Sequence, residues 1–488
     1  MAVTLNRSAV DDAGLTRNAP PTPRWVLILL ALAAQLAIAL VSKNAPVLGL
    51  AHAIAVIAVG LYAVARRNIL LVTCLIGYLV GCEVLWRQVH TPLYYLFAPY
   101  AVILLSAFAV ISVIGRVGRD ARLALLFIAV LLPSVITTLR TAGGESRELI
   151  AFALSGPAAL AAFVAFMSQM SATQEAYRRI LWTTLISAIG PLAIAASDVF
   201  SAVAEQGAIK FSDQSNFITS GGFGPVQVSA VLGLGVLIAL LLTLMEPDRI
   251  CRGIAVVVAI AFAVQSLLTF SRGGMFSVAI AISALAISQA NNRRVRRRVI
   301  AIVVVALALG YFFVVPFLTD FTGGAFEKRF SDTQSARTEL AANDTQIFEK
   351  NIVFGVGPGM IKYQRLGFDV CKLRSDNCAQ EASSHTEFTR MLGEHGLGGV
   401  MAIAILLVLA FRAIRDAGRN RAYAVAFVAW AVAQMFYANM RVVAVPFSFG
   451  IAFLAVRGTG PPEDEDDAAV GAAASDRPAG QFPSPSPA

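Results

Sequence analysis

Charged residues and histidines are scarce in this chain. Only 14% of its 488 residues are charged, 57% are hydrophobic, and four are histidines. A soluble globular domain has about a quarter of its residues charged, so this composition excludes an ordinary soluble protein. Neither a Walker loop nor a histidine cluster with metal-ligand spacing is visible, and no Asp-x-Asp metal–nucleotide signature lies among the apolar segments. The common forms of nucleotide and metal chemistry are therefore not indicated.

Long apolar runs are abundant instead. A membrane-spanning helix needs about 20 mostly apolar residues. Fourteen segments approach this requirement and are centred within 25–42, 46–65, 69–86, 95–114, 121–138, 149–168, 180–197, 226–245, 253–270, 275–290, 299–318, 396–414, 421–438 and 441–456. We therefore predict an all-α fold, namely a polytopic membrane protein with about 12–14 transmembrane helices and one large loop domain outside the membrane.

Arginines alternate along the loops between these segments. Clusters such as Arg66 and Arg67, or the run NNRRVRRR at 291–298, fall in every second loop, whereas the intervening loops hold few basic residues. The positive-inside rule then predicts that both termini are cytoplasmic. Because topology explains the net charge of +9, we expect no nucleic acid partner.

Composition divides the chain into four regions. Residues 1–24 form a polar cytoplasmic tail, and 25–197 hold the N-terminal transmembrane helices. The region 198–456 contains further spans and the outward loop 319–395, which is the only sizeable polar segment between spans. The low-complexity stretch 457–488 is predicted to be a disordered cytoplasmic tail.

Cys371 and Cys378 lie close together in the outward loop. An oxidising compartment favours pairing of two such cysteines, so a disulfide is one interpretation and two free thiols is the other. A zinc site is not indicated, because no second pair of ligands lies nearby in the sequence.

Two polar features lie at the predicted outer ends of spans. The stretch FSRGGMF places Arg272, Gly273 and Gly274 at a helix start, where amides, helix dipole and guanidinium together suit an anion such as phosphate. A snorkelling interfacial arginine beside glycines that permit close helix packing is the alternative. Glu83 is a functional candidate because of its depth in the membrane, or an ion-pair partner of Arg87 one helical turn away.

The stretch SSHTEFTRMLGEHGLGG, residues 383–399, closes the outward loop. Ser384 and Glu387 form a Ser-x-x-Glu capping box, which predicts a helix that begins at Ser384 and holds His385 in its first turn. The helix dipole there would keep His385 neutral, as a general base must be. An amphipathic interfacial helix whose histidine faces water is the alternative. At the far end of the helix, the dipole is predicted to favour the imidazolium form of His395.

A further arginine precedes this stretch in the outward loop. Arg337 begins a helix-like run, and the stretch GVGPG at 355–359 ends that run as a tight turn. The turn is not a nucleotide loop, because the Gly-Lys-Ser/Thr ending is missing. Arg337 alone is ambiguous at this point.

The order of these motifs resembles the O-antigen ligase superfamily of bacterial inner-membrane proteins, which includes O-antigen polymerases and protein O-oligosaccharyltransferases. SRGG stands at an outer helix junction, and SARTE and FGVGPG open the large loop. His385, Thr386, Gly396 and Gly399 fit the spacing of the ligases' histidine motif, with Thr386 in place of the usual Asn, Ser or Gln. The resemblance makes 198–456 the expected catalytic region, with 319–395 as its large periplasmic loop domain.

The resemblance implies glycan transfer on the periplasmic face of the bacterial inner membrane by a multi-pass protein. The donor would be a glycan on undecaprenyl pyrophosphate, and the acceptor a hydroxyl of another glycan or of lipid A–core, within the surrounding membrane lipid. Members of the superfamily need no metal and no other cofactor.

The resemblance also implies roles for individual residues. His385 would be the catalytic base, and Arg272 and Arg337 would neutralise the pyrophosphate. Lys210 is the only basic residue where the ligases usually carry another arginine. The predicted substrate-binding set is Arg272, Arg337, Lys210, Gly273, Gly274 and Glu394.

Two other functions stay open. A polymerase of the same superfamily would hand the glycan to another lipid-linked repeat rather than to lipid A–core. A transporter or flippase would usually show paired charges inside its spans and inverted repeats. Charges are few in the middle of the spans and no repeat is evident, so an enzyme is favoured.

Overall fold

The computed structural model is almost entirely helical. The described residues are 3–5, 23–113, 117–206, 209, 211, 215–289, 297, 300–301, 304, 308, 310–331, 336–364, 384 and 386–457. The α-helices within them are α1 Arg24–Asn44, α2 Pro46–Ala65, α3 Ile69–Gln88, α4 Phe97–Val113, α5 Arg119–Ala129, α6 Val135–Thr141, α7 Ser146–Met167, α8 Gln174–Gln206, α9 Pro225–Met245, α10 Arg249–Leu268, α11 Arg272–Ser288, α12 Val315–Phe321, α13 Ala325–Ser331, α14 Ala336–Lys350, α15 Glu387–His395, α16 Leu397–Arg415, α17 Arg421–Met435 and α18 Ala444–Ile451.

The predicted fold class is confirmed. Within the described residues, nine helices or continuous helix pairs are long and apolar enough to cross a membrane. Three shorter apolar helical stretches accompany them, at Phe97–Ser112, Arg272–Ser288 and Gly310–Phe321. The protein is therefore an all-α polytopic membrane protein, while the exact number of spans and the four region boundaries stay predictions.

Small residues let the central helices approach closely. Gly81 on α3 faces the backbone of Ser187 on α8, and Gly156 on α7 faces the carbonyl group of Met440, so a Cβ at either glycine would overlap these atoms. Such contacts supply much of the packing between helices in a membrane, where lipid already surrounds apolar side chains. Helix α9 is central, since 83% of its apolar window is buried, whereas only 22% is buried in α1.

One end of the molecule carries a small parallel sheet that the sequence analysis did not identify. Strands β1 (Val3–Leu5), β2 (Met170–Thr173) and β3 (Ala455–Arg457) pair in that order. Strand β2 joins α7 to α8, and β3 follows α18. We call this the sheet end.

Candidate functional site

The first part of the site is the start of α11. Arg272 is the first residue of this helix and is partly buried. The Gly274 amide donates to Ser229 Oγ at 3.2 Å, and Gly273 O accepts from Gln434 Nε2 at 3.3 Å. A Cβ at Gly274 would overlap the Ser229 carbonyl oxygen. Close packing of α11 on α9 thus explains why a glycine occupies position 274. Anion binding by Arg272 and the two glycines stays a prediction.

The second part of the site is α15, which begins later than the capping box predicts. The helix starts at Glu387, and Thr386 is its N-cap, whose Oγ1 accepts from the Thr389 amide at 3.2 Å. The predicted start at Ser384 is therefore wrong. His385 lies outside the described residues, and in the sequence it immediately precedes the N-cap residue Thr386.

Glu387 is bound by partners outside the predicted capping box. Its Oε2 accepts from Arg390 Nε at 2.6 Å, and its Oε1 accepts from the Met440 amide at 3.2 Å. The Glu387 side chain thus binds a guanidinium and a distant amide, and the helix begins with Thr386 as its N-cap. A tertiary contact thus overrides the local signal.

Arg390 links two buried carboxylates. Its Nε contacts Glu387 as described, and its Nη1 donates to Glu394 Oε2 at 2.8 Å. Burial lowers the pKa of Arg390, but the two carboxylates raise it by more, so the guanidinium stays charged. Glu394 also accepts a hydrogen bond from the Gly359 amide and is only 2% exposed. The structure therefore gives Glu394 a place in a buried ion-pair network, and its contact with substrate stays a prediction.

His395 is a buried, neutral side chain. Its Nδ1 lies 2.5 Å from Ser134 Oγ and 3.1 Å from Leu131 O. Burial, reinforced by Arg390, lowers the pKa of His395 to about 3. The predicted imidazolium form is therefore wrong, because removal from water outweighs the helix dipole at this position.

The loop at 351–361 packs α15 against the helix pair α6 and α7. The Gly357 amide donates to Glu394 O at 2.9 Å, and Thr138 Oγ1 donates to Pro358 O at 3.0 Å. Gly357 has a φ of 97°, and a Cβ there would overlap Thr138. The stretch GVGPG is therefore a tightly packed turn, which confirms the predicted tight turn.

A third part of the site escaped the sequence analysis. Residues 436–443, here called the 436–443 segment, connect α17 to α18. The Met440 amide donates to Glu387, and the Val443 amide donates to Glu83 Oε2 at 2.7 Å. The predicted span 441–456 begins too early, because α18 starts only at Ala444. The one available signal was a single arginine, Arg441, inside an apolar run.

Glu83 is an ion-pair partner, as one of the two interpretations predicted. Its Oε1 lies 2.7 Å from Arg87 Nη2. Arg87 also donates to Gln227 Oε1 at 3.1 Å and to Tyr95 O at 2.9 Å, and it stacks 3.9 Å from the centroid of the Tyr95 ring. Glu83 thus anchors the end of α3 to the 436–443 segment.

Several predicted site residues lie outside the described residues. They are His385, Lys210, Cys371 and Cys378. Arg337 lies in α14, but its side chain is not among the described ones. Their roles therefore stay predictions, namely His385 as the base, Lys210 and Arg337 as substrate-binding residues, and the disulfide between Cys371 and Cys378. Within the described part of the chain, no group of three or more His, Cys, Asp or Glu residues could hold a metal ion.

Comparison with known proteins adds one finding. Residues 257–404 match the O-antigen ligase family. The match includes Arg272, Arg337 and the histidine stretch that closes the outward loop. It confirms the resemblance that the motifs predict. No curated protein matches the chain.

Proposed function

We propose, from the match of residues 257–404 to the O-antigen ligase family, that this membrane protein transfers glycans in surface polysaccharide biosynthesis. In the proposed reaction, a glycan on undecaprenyl pyrophosphate is transferred to an acceptor hydroxyl at the periplasmic face of the bacterial inner membrane. The family match is the observation that carries this proposal, because it includes the predicted base and both predicted pyrophosphate arginines.

The proposed chemistry is a single displacement at the anomeric carbon. His385 accepts the proton of the acceptor hydroxyl as the oxygen attacks. The new bond forms between that oxygen and the anomeric carbon, while the bond from this carbon to the pyrophosphate oxygen breaks. Undecaprenyl pyrophosphate leaves with the bonding electrons, and arginine side chains stabilise its charge.

The arrangement of the described residues supports this proposal. The 436–443 segment touches both predicted parts of the site: Tyr437 packs against Gly273 beside Arg272, and Met440 binds Glu387 on the helix that follows His385. A rigid connection of this kind favours a fixed distance between an anion-binding group and a base, which a transfer reaction requires.

Transfer by the purified full-length protein tests the proposal. We expect transfer from an undecaprenyl-pyrophosphate-linked glycan to lipid A–core if the protein is a ligase, and chain growth on lipid-linked repeats if it is a polymerase. The proposal also predicts an unchanged rate after chelation with EDTA. Intact donor with neither product, from protein that remains folded, would refute the proposed function.

A further inference from the structure

The 436–443 segment holds one charged side chain, that of Arg441, in a fixed position. The segment is tied to α15 through Met440 and to α3 through Val443. It is also tied to α17, because Asn439 Nδ2 donates to Gln434 Oε1 at 2.7 Å. Gly156 on α7 packs closely on the backbone of Met440 and Arg441. Contacts with four helices therefore fix the backbone from which Arg441 projects.

Arg441 lies at one end of a row in which two aromatic rings stand between two arginines. Its guanidinium carbon lies 4.4 Å from the centroid of the Phe152 ring. The Phe152 ring lies 5.9 Å from that of Tyr95, and Tyr95 carries Arg87 on its face. Stacking on an aromatic face holds a guanidinium in place while its N–H groups point outward in the plane.

The two arginines of this row differ in their partners. Arg87 has Glu83, Gln227 and the Tyr95 carbonyl group. Within the described part of the chain, no residue forms an ion pair or a hydrogen bond with the guanidinium of Arg441. Its side chain is nevertheless only partly exposed.

The carboxylates near Arg441 are already occupied. Glu387 and Glu394 attract Arg441 electrostatically. Their oxygens, however, accept from Arg390, from the Met440 amide and from the Gly359 amide. The two carboxylates therefore reduce the cost of holding a second cation beside Arg390, while the donors of Arg441 stay available to a ligand. A guanidinium prepared in this way suits an oxyanion, which it can bind through two parallel hydrogen bonds.

The surroundings indicate that the anion belongs to a lipid. Tyr94, Tyr95 and Tyr100 are 40–55% exposed near this row, and Tyr94 stacks on Tyr100. Exposed aromatic side chains at the end of a helix bundle are typical of the level of lipid headgroups. The 436–443 segment, which carries Arg441, also reaches the start of α11, where Tyr437 contacts Gly273.

We propose that Arg441 binds a phosphoryl group of a polyprenyl diphosphate, and that it does so beside the donor arginine Arg272. This inference rests on the proposed function for the identity of the lipid. A diphosphate carries two phosphoryl groups, more than one guanidinium can satisfy. The 436–443 segment carries Arg441, and its Tyr437 contacts Gly273 at the start of α11, next to Arg272.

Equilibrium binding of labelled undecaprenyl diphosphate to the full-length protein in detergent tests the inference. Arg441→Gln should weaken binding on the order of 10- to 100-fold, the effect of losing a charge-assisted hydrogen bond. Arg441→Lys should lie between, because lysine keeps the charge but loses the planar fork. The matched control is Arg415→Gln, which removes one exposed arginine at the end of α16, and its affinity should equal that of the parent.

The lipids used as probes separate the possible sources of the anion. For Arg441→Gln, the loss of affinity should be smaller with undecaprenyl monophosphate, and phosphatidylglycerol in the same detergent should show no loss. Equal losses for phosphatidylglycerol and the diphosphate would make Arg441 a general headgroup contact and overturn the inference. So would unchanged diphosphate affinity in Arg441→Gln, provided that its thermal midpoint matches that of the parent.

The same variants separate this inference from the proposed function. If the parent protein fails to transfer glycan but Arg441→Gln still loses diphosphate binding, the proposed glycan transfer is refuted, and the anion site at Arg441 is supported. If the parent transfers glycan and Arg441→Gln keeps both the diphosphate affinity and the KM for donor of the parent, only the proposed anion site at Arg441 is refuted.

Discussion

At the residue scale, His385 and His395 are predicted to have separate tasks. We expect His385→Ala to slow glycan transfer by about 10²–10⁴-fold, the usual effect of losing a general base. His395→Ala should keep a near-parental rate per folded molecule but unfold at a lower temperature, because it leaves Ser134 and Leu131 without their buried partner. Transfer from purified lipid-linked donor, with a thermal melt of each variant, measures both effects. A parental rate in His385→Ala would remove the proposed base.

Arg272 offers a second test at a single position. If its guanidinium binds the donor pyrophosphate, Arg272→Lys should be weakly active and Arg272→Ala nearly inactive at normal protein levels. The loss should appear chiefly as weaker donor binding. Quantified transfer across donor concentrations is the measurement. Full activity in the alanine variant would make Arg272 an interfacial arginine beside packing glycines, which is the alternative drawn from its sequence.

The buried His395 should make the folded protein sensitive to acid. Its pKa is about 3 in the folded protein, where burial disfavours the charged form, and its ordinary value is 6.5. Between these two pH values the unfolded chain binds the additional proton, so stability is complete above pH 6.5 and falls as the pH drops towards 3. Thermal midpoints at pH 7.5 and pH 5 should therefore differ less in His395→Asn than in the parent. Equal differences would show that His395 does not contribute.

At the element scale, local and tertiary signals divide what the sequence can predict. Helices such as α3, α9 and α16 follow from their apolar length alone, which a membrane imposes. The start of α15 does not, because the carboxylate of Glu387 is bound by Arg390 and by a backbone amide 53 residues away in the chain. The parallel sheet cannot be predicted from the sequence for a related reason. Its strands have three or four residues and are made only by pairing across the whole chain.

The site shows the same division. Arg272 and the histidine stretch are visible as motifs, because their residue types and order are local properties of the sequence. The 436–443 segment is not visible, since its function as a connector depends on contacts with α3, α7 and α15. The resemblance places Glu394 in the predicted substrate-binding set, but only the fold reveals its ion pair with Arg390.

The turn at 351–361 provides a prediction at this scale. Gly357→Ala should lower the thermal midpoint, because the φ of 97° is strained for alanine and a Cβ would overlap Thr138. The expected cost is about 1–3 kcal/mol. Gly253→Ala is the matched control, since this glycine lies in α10 and, apart from its chain neighbours and the backbone of its own helix, no atom lies within 4 Å of the position that its Cβ would occupy. Alanine there should be neutral or stabilising by up to about 1 kcal/mol. Equal midpoints for the two variants would contradict the packing argument.

At the scale of the whole molecule, the parallel sheet determines which segments share a side. Because β1, β2 and β3 pair directly, residues 3–5, 170–173 and 455–457 lie at one end of the helices. Residues near Thr322 lie away from the sheet. Leu318 and Phe326 pack against Leu268 and Phe270, at the end of α10 next to the start of α11. The two groups are therefore at opposite ends, and the arginine pattern predicts that the sheet end is cytoplasmic.

This arrangement predicts the outcome of two reporter fusions. An enzyme that is active only in the periplasm should be active when fused after Thr322 and inactive when fused after Arg457. The physical reason is that Arg66, Arg67 and the other loop arginines resist transfer across the membrane and so keep their loops, and the sheet with them, inside. A second reporter that is active only in the cytoplasm should give the reverse pattern and controls for poor expression. Periplasmic activity after Arg457 would invert the topology and place the predicted base on the cytoplasmic side, which would contradict the proposed transfer at the periplasmic face.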